Sequence, residues 1–238
     1  MSGGARGIDV SSWQHPAGKP IDWEEVAESG VTFALVKATQ GISYVNPWFE
    51  RDYEDAYAAG LLVGAWHYFD PSVDPAAQAA NFVAMLMGKR LEARAWLDFE
   101  PPPVTNWTAA GWVTSFLDAA REARPGCGLY CDQSWWEQLA AANVAPPALW
   151  LAAPSATEPP AGATIWQHGT GDVPGVPAWV DLDLMPSTRG IDLPGGPKPR
   201  PTAATTLPVR LPAEPSEPEA DQDSDADNAP AEQSLSEP

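Results

Sequence analysis

The chain has few basic residues and no long apolar run. Thirteen Lys and Arg stand against 32 Asp and Glu, which gives the 238 residues a formal net charge of −19. Without a basic stripe to contact phosphate groups, nucleic-acid binding is not expected. No apolar stretch reaches the roughly 18 residues of a membrane-spanning helix, so insertion into a membrane is not expected either.

Cysteine and histidine are also scarce, with two and three residues. Cys127 and Cys131 fall in a predicted strand, which separates residues four apart by about 13 Å. A disulfide needs a much shorter distance, so both are predicted to be free thiols. His15, His67 and His168 fall on different predicted elements without metal-ligand spacing. No metal and no cofactor is therefore expected, and His67 is predicted to be a hydrogen-bonded residue of the fold.

The two ends of the chain differ from its middle. Residues 195–238 are rich in Pro, Ala, Ser and acidic residues. Their apolar surface is too small to offset the entropy cost of folding. We predict a disordered, Pro-rich acidic tail there and a catalytic barrel over residues 1–194. Residues 1–6 contain no apolar segment typical of an export signal.

Short β-branched or aromatic runs alternate with helical patterns as far as about Asn143. Such alternation is typical of βα units around a parallel sheet. Asp22 is predicted to cap the first helix, with Glu25 three residues on, and Thr108 to cap the fourth. Three further strands follow without helices between them. The sequence therefore predicts an α/β fold, a modified TIM-like barrel of five βα units plus three strands, with its chemistry where the strands end.

Two acidic residues follow one another closely at the end of a predicted strand, in the run Asp98-Phe99-Glu100. Side chains two apart on a strand share a face, so the two carboxyls lie together and one pKa is expected to rise. Asp9 ends the first predicted strand and Asp181 lies in the last, which are neighbours in a closed barrel. We predict that these four carboxyls converge on one mouth, because such a cluster is too costly to keep without a function.

Aromatic and polar side chains are predicted around the same mouth. Twelve tryptophans are many for this length, and flat ring faces suit stacking on pyranose rings. Lys37 interrupts an apolar strand and is expected to need an acidic partner, which the carboxyl cluster could supply. The residues predicted to bind substrate are Trp13, Lys37, Trp66, Tyr68, Tyr130, Trp150, Trp166 and Gln167.

Six short motifs in this order resemble those of the glycoside hydrolase family 25 lysozymes, from about Gly7 to Ile191. Any one motif is weak, but six in the right order are specific. They are Gly7-Ile-Asp-Val-Ser-Ser-Trp-Gln14, Val36-Lys-Ala-Thr-Gln-Gly41, Gly64-Ala-Trp-His-Tyr-Phe69, Trp96-Leu-Asp-Phe-Glu100, Ile165-Trp-Gln167 and Val180-Asp-Leu-Asp183.

The resemblance implies a lysozyme, or muramidase, that hydrolyses β-1,4 linkages between N-acetylmuramic acid and N-acetylglucosamine. It makes Glu100 the general acid, and Asp98 either the nucleophile or the group that orients the substrate's acetamido group. It also implies that Asp9 and Asp181 hold substrate or tune these pKa values. Two positions depart from the family's pattern: Gln40 stands where many relatives have Glu, and Asp183 where Asn is usual.

Two other functions stay open from the sequence. One is a non-catalytic module that binds cell-wall glycan, although the acidic cluster argues against it. The other is a barrel glycosidase that acts on chitin by the same chemistry. The expected partner is the glycan strand of bacterial peptidoglycan. The lack of an export signal predicts release from the cytoplasm of a phage-infected host, as for a bacteriophage endolysin, or export by another route.

Overall fold

Eight strands close into a barrel in the computed structural model, which describes residues 4–186. The strands are β1 Ala5–Val10, β2 Phe33–Gln40, β3 Tyr44–Val45, β4 Leu62–Tyr68, β5 Ala95–Asp98, β6 Gly128–Asp132, β7 Leu149–Ala152, β8 Ile165–Gly171 and β9 Val180–Met185. The helices are α1 Trp23–Glu28, α2 Phe49–Ala58, α3 Pro75–Met85, α4 Asn106–Ala120 and α5 Gln133–Ala141. The predicted tail, residues 195–238, lies outside the described residues.

The strand order is β1-β2-β4-β5-β6-β7-β8-β9, and β9 pairs again with β1. All neighbours are parallel except β9, which runs antiparallel to both β8 and β1. The short β3 adds to the free side of β2 outside the ring. One helix follows each of the first five barrel strands, and β7, β8 and β9 follow without helices. The predicted modified barrel of five βα units plus three strands is confirmed.

Side chains alternate between the inside of the barrel and the helical layer, as the pleat of a strand requires. The outward set packs against apolar faces of the helices, and it includes Val36, Leu97, Leu129 and Leu151. The inward set fills the lower part of the barrel with large rings. We call this set the aromatic floor, and it consists of Phe33, Trp96, Trp150, Ile165 and Met185. The barrel is therefore a packed core that opens only at its upper end.

The local predictions succeed where one residue decides the structure. Asp22 caps α1, because its side chain accepts a hydrogen bond from the Glu25 backbone N–H at 3.0 Å. The prediction for Thr108 is wrong, since α4 begins at Asn106 and its cap is Thr105. Thr105 has the extended backbone that a cap requires, whereas Thr108 already lies inside the first turn and donates its N–H to Thr105 Oγ1.

Cysteine and histidine residues contribute to packing. Cys127 and Cys131 are buried free thiols, as predicted. His67 is completely buried on the outer side of β4 and contacts Thr39 Oγ1 at 2.7 Å and Gln78 Oε1 at 3.2 Å. Burial lowers the pKa of His67 to about 4. The prediction of a hydrogen-bonded structural histidine is confirmed. Within residues 4–186, no helix is long and apolar enough to cross a membrane.

Gly128 gives the first test of this packing, because a Cβ there would lie 2.4 Å from the Trp96 ring. We expect Gly128→Ala to lower the free energy of unfolding by about 1–3 kcal/mol, the usual cost of overpacking a core. Gly111 is the matched control, since a Cβ on this α4 residue meets no atom within 4 Å. Gly111→Ala should raise stability by up to about 1 kcal/mol. Equal effects in urea unfolding would contradict the packing described here.

Candidate active site

Three aspartates from neighbouring or facing strands point into the upper end of the barrel. Asp9 lies next to the end of β1, and Asp98 ends β5. Because β9 runs in the opposite direction, its first residues lie at this same end, and Asp181 pairs directly with Asp9. The sequence-based expectation that first and last strands are neighbours is therefore confirmed. Closure by one antiparallel strand is what brings residues 172 positions apart into register.

The pair Asp98 and Glu100 is fixed by the residue between them. Phe99 is fully buried on the outer side, where its ring packs against Phe69 and Trp135 at 5.2 and 5.4 Å between centroids. This anchor turns both flanking carboxyls toward the barrel mouth. Asp98 is buried, whereas the Glu100 side chain is exposed. Two residues of the same charge type thus occupy different environments only two positions apart.

Asp98 lies in the drier of the two environments. Its Oδ1 is buried and has no hydrogen-bond partner among residues 4–186. Burial raises the pKa of Asp98 well above its ordinary value, the nearby Glu100 raises it further, and the charge of Lys37 lowers it. An oxygen without a partner, facing a mouth, is available to a bound ligand.

Glu100 stands at the edge of the mouth, beside the Tyr130 hydroxyl at 3.4 Å. The surrounding protein removes part of the water around its carboxyl, and this raises the pKa of Glu100, to which Asp132 and Asp181 add. The single phenolic proton of Tyr130 also has a shorter contact, to Gln167 Oε1 at 2.9 Å. With that proton on Gln167, Glu100 can contact the Tyr130 oxygen best as a neutral acid.

A chain of neutral groups fixes Asp9. Tyr130 donates to Gln167 Oε1, and Gln167 Nε2 donates to Asp9 Oδ2 at 2.9 Å. Asp9 itself is buried. Its pKa is raised well above the ordinary value by burial first, then by the charges of Asp183 and Asp181. The carboxyl therefore has a fixed orientation and an unusual affinity for protons.

Asp183 is an acidic residue that the sequence analysis recorded only as a departure from the family's pattern. It is 1 % exposed and lies one layer below Asp181 on the same face of β9. Trp150 Nε1 donates to its Oδ1 at 2.8 Å. Burial raises the pKa of Asp183 to about 8, and Asp181 adds to this. The spacing Asp181-x-Asp183 repeats that of Asp98-x-Glu100, and this was the signal that could have revealed it.

Lys37 is the buried cation of the site. Its ammonium donates to Gln40 Oε1 at 2.8 Å. It also lies 5.1–5.4 Å from the ring centroids of Tyr44, Trp66 and Tyr68. Such ring faces stabilise a desolvated cation. The predicted acidic partner takes the form of an electrostatic interaction, since the charge of Lys37 lowers the pKa of Asp98.

The remaining predicted substrate-binding residues divide into three groups. Trp13 follows β1 in a 3₁₀ turn and is 72 % exposed at the rim of the mouth. Trp66 and Tyr68 face the mouth from β4, and burial raises the pKa of Tyr68 to about 12. Trp150 is only 2 % exposed, because it belongs to the aromatic floor. Trp166 alternates to the outer side of β8 and donates to Ala153 O, so the structure does not bring it together with the acidic cluster.

The acidic cluster does not form a recognisable metal site. Among residues 4–186, no group of three or more His, Cys, Asp or Glu side chains is arranged to hold a metal ion. What the mouth contains instead is a set of carboxyls with raised pKa values, neutral hydrogen-bond donors and one ammonium group. Such a set can deliver and accept protons next to a polar, ring-shaped ligand.

The sequence profile of glycosyl hydrolases family 25 matches residues 8–176 of the chain. The chain belongs to this family. A solved family structure also superimposes on it, the crystal structure of the bacterial lysozyme from Streptomyces coelicolor. That structure has 29 % sequence identity and a TM-score of 0.68, over 79 % of this chain and 94 % of the other.

Two curated relatives resemble this family 25 chain in sequence. Lysozyme M1 of Streptomyces globisporus is 32 % identical over 200 residues, which are 75 % of this chain and 66 % of the relative. The N,O-diacetylmuramidase of Chalaropsis sp is 31 % identical over 148 residues, which are 55 % of this chain and 67 % of the relative. Across the curated relatives, the matched part spans between 35 % and 67 % of their length.

The raised pKa values predict how the stability of this family 25 barrel depends on pH. Five carboxyls hold protons in the folded state that the unfolded chain loses near its ordinary values, at about pH 4. Folded carboxyls with raised pKa values make stability fall as pH rises. His67 acts in the opposite direction only below its ordinary pKa of 6.5. We therefore expect the melting temperature to fall between about pH 7 and pH 9.

Differential scanning calorimetry of the whole chain measures this slope. Asp183→Asn should flatten it, because that variant removes the carboxyl whose pKa is raised to about 8. Glu122→Gln, a change at an exposed residue away from the mouth, is the matched control and should leave the slope as it is. A melting temperature that stays constant or rises over this range would show that the cluster does not hold its protons.

Proposed function

We propose that the chain is a lysozyme-type muramidase that hydrolyses the β-1,4 linkage between N-acetylmuramic acid and N-acetylglucosamine in bacterial peptidoglycan. The observation that carries this is the pair of carboxyls on β5, one buried and one exposed, in a barrel of glycosyl hydrolases family 25. The printed names of the curated relatives, a lysozyme and a muramidase, support the same substrate class.

Glu100 is proposed as the general acid. An acid near neutral pH needs a raised pKa and access to the leaving oxygen. Partial desolvation supplies the first condition, and exposure at the mouth supplies the second. The neighbouring Tyr130 hydroxyl can accept from the protonated acid and so hold its proton toward the mouth. Glu100 would then protonate the bridging glycosidic oxygen as the bond breaks.

Asp98 is proposed as the partner of Glu100 beneath the sugar. Its partner-free Oδ1 faces the mouth, and the charge of Lys37 favours its ionised form. An ionised carboxylate there can stabilise positive charge at the anomeric carbon, either by direct attack or by orienting the substrate's acetamido group. Asp9 and Asp181 are proposed to bind the sugar on the opposite side and to tune these two pKa values.

The sugar-binding groups proposed here are those that line the mouth. Trp13 offers an exposed ring for stacking at the rim. Trp66 has a buried Nε1 with no hydrogen-bond partner among residues 4–186, so this donor is available to a sugar hydroxyl or carbonyl. Lys37, Tyr68, Tyr130 and Gln167 supply further polar contacts. For Trp150 and Trp166 the burial favours supporting the site over touching the glycan.

Glu100→Gln tests the role of the acid, since it removes the proton and keeps the shape. We expect hydrolysis of purified peptidoglycan, measured as new reducing ends, to fall by about 10²–10⁴-fold. Glu122→Gln serves as the matched control, because this exposed residue lies away from the mouth. Circular dichroism should show both variants folded.

Three outcomes would contradict the proposal. Wild-type protein that releases no reducing ends from de-O-acetylated wall would remove the activity. Binding of wall fragments without turnover would indicate a glycan-binding module. Faster release of reducing ends from chitin than from peptidoglycan would indicate a chitinase-like glycosidase with the same acid.

A further inference from the structure

Asp183 and Asp9 present an arrangement that two ionised carboxylates cannot adopt. The two side chains form a hydrogen bond with each other inside the barrel. Each already has one oxygen engaged: Gln167 Nε2 donates to Asp9 Oδ2, and Trp150 Nε1 donates to Asp183 Oδ1. Asp183 Oδ2 has no N–H or neutral O–H donor among residues 4–186. The remaining oxygens of the pair therefore face each other.

An ionised carboxyl only accepts hydrogen bonds, so a bond between two of them requires one proton. Without that proton, two buried negative charges would lie in contact, which is strongly unfavourable. Asp183 is the better site for it, because it is the deeper residue and Asp9 receives the Gln167 donor. The pair is an acid that donates to a carboxylate.

We propose that Asp183 is a positioning residue that remains a neutral acid, donates its proton to Asp9, and so fixes the Asp9 carboxylate against the substrate. This inference rests on the proposed function, because Asp9 has a task only if glycan binds at the mouth. Asp183 itself touches no substrate, since it lies one layer below the mouth and is buried under Asp181 and Asp9.

The contacts on Asp9 explain why this proton matters. Gln167 holds one oxygen of Asp9 and is itself fixed by Tyr130, which lies beside Glu100. Asp183 holds the other oxygen. Loss of the proton would turn this contact from a hydrogen bond into a repulsion and release Asp9 from one side. An asparagine at position 183 could supply the same donor through its amide, with no dependence on pH.

The charged groups around the pair all act in one direction. Asp181 faces Asp183 from its own strand, and Asp98 faces Asp9 from β5. Both disfavour a second negative charge, while burial gives the largest effect and raises the pKa of Asp183 to about 8. Trp150, Gln167 and Tyr130 are neutral and do not offset this charge. Asp183 does not appear among the groups that shift the pKa of Glu100, so the two titrations can be separated.

The test compares kcat/KM on solubilised peptidoglycan at about pH 9 and about pH 6 for wild type and Asp183→Asn. Titration of Glu100 lowers the rate in both proteins, so the ratio of the two rates is compared between them. At one pH unit above the pKa, about one tenth of Asp183 retains its proton. We expect the alkaline-to-acid ratio to be about tenfold higher in Asp183→Asn than in wild type. Equal ratios would overturn the positioning role.

Infrared difference spectra of the whole chain, with carboxyl-labelled aspartate, test the proton without any substrate. Wild type should show the stretching band of a protonated carboxyl at about pH 7, and Asp183→Asn should lack one such band. Asp183→Leu, which has no donor, should be inactive at both pH values if it folds. A spectrum that is the same in wild type and Asp183→Asn overturns the inference. If the band is present but no glycan is cut, the proposed function fails and the shared proton stands.

Discussion

The site depends on one constraint: five carboxyl groups are held in a barrel mouth that excludes much of the water around them. Each of the five has a raised pKa, and burial is the largest cause in every case. A set of this kind cannot be fully ionised, because the cost of burying each charge adds to the repulsion from the others. Protons therefore belong to its structure. Their distribution over the five groups decides which can act as an acid and which as a base.

Neutral dipoles hold this cluster together without adding charge. Trp150, Gln167 and Tyr130 come from three strands of the barrel, and each supplies a donor to an acidic or amide oxygen. Trp150 joins the two levels of the barrel, because its ring packs against Trp96 and Tyr130 while its N–H reaches Asp183. A change in the aromatic floor would thus reach the carboxyls through one indole ring.

The sequence predicts the barrel and the four acidic positions because both depend on short-range periodicity. Alternation placed Asp98 and Glu100 on one face, and the order of strands and helices indicated closure. The positions of Trp166 and of the Lys37 contacts depend on register between strands far apart in the chain. In β8 the register shifts between Gln167 and Gly169, so the side on which Trp166 lies could not be derived from spacing alone. Thr105 and Thr108 compete for one cap, and only the backbone conformation distinguishes them.

The direction of β9 explains how one strand supplies three environments. Its inward residues are Asp181 at the mouth, then Asp183, then Met185, and their burial increases from half-buried to 1 % and 0 % exposed. Had β9 run parallel to its neighbours, its first inward residue would lie at the floor and its last at the mouth. The antiparallel course instead puts an acid next to solvent, a second acid beneath it out of reach of water, and an apolar side chain in the floor. A buried acid directly below a functional carboxylate is therefore a consequence of strand direction combined with a spacing of two.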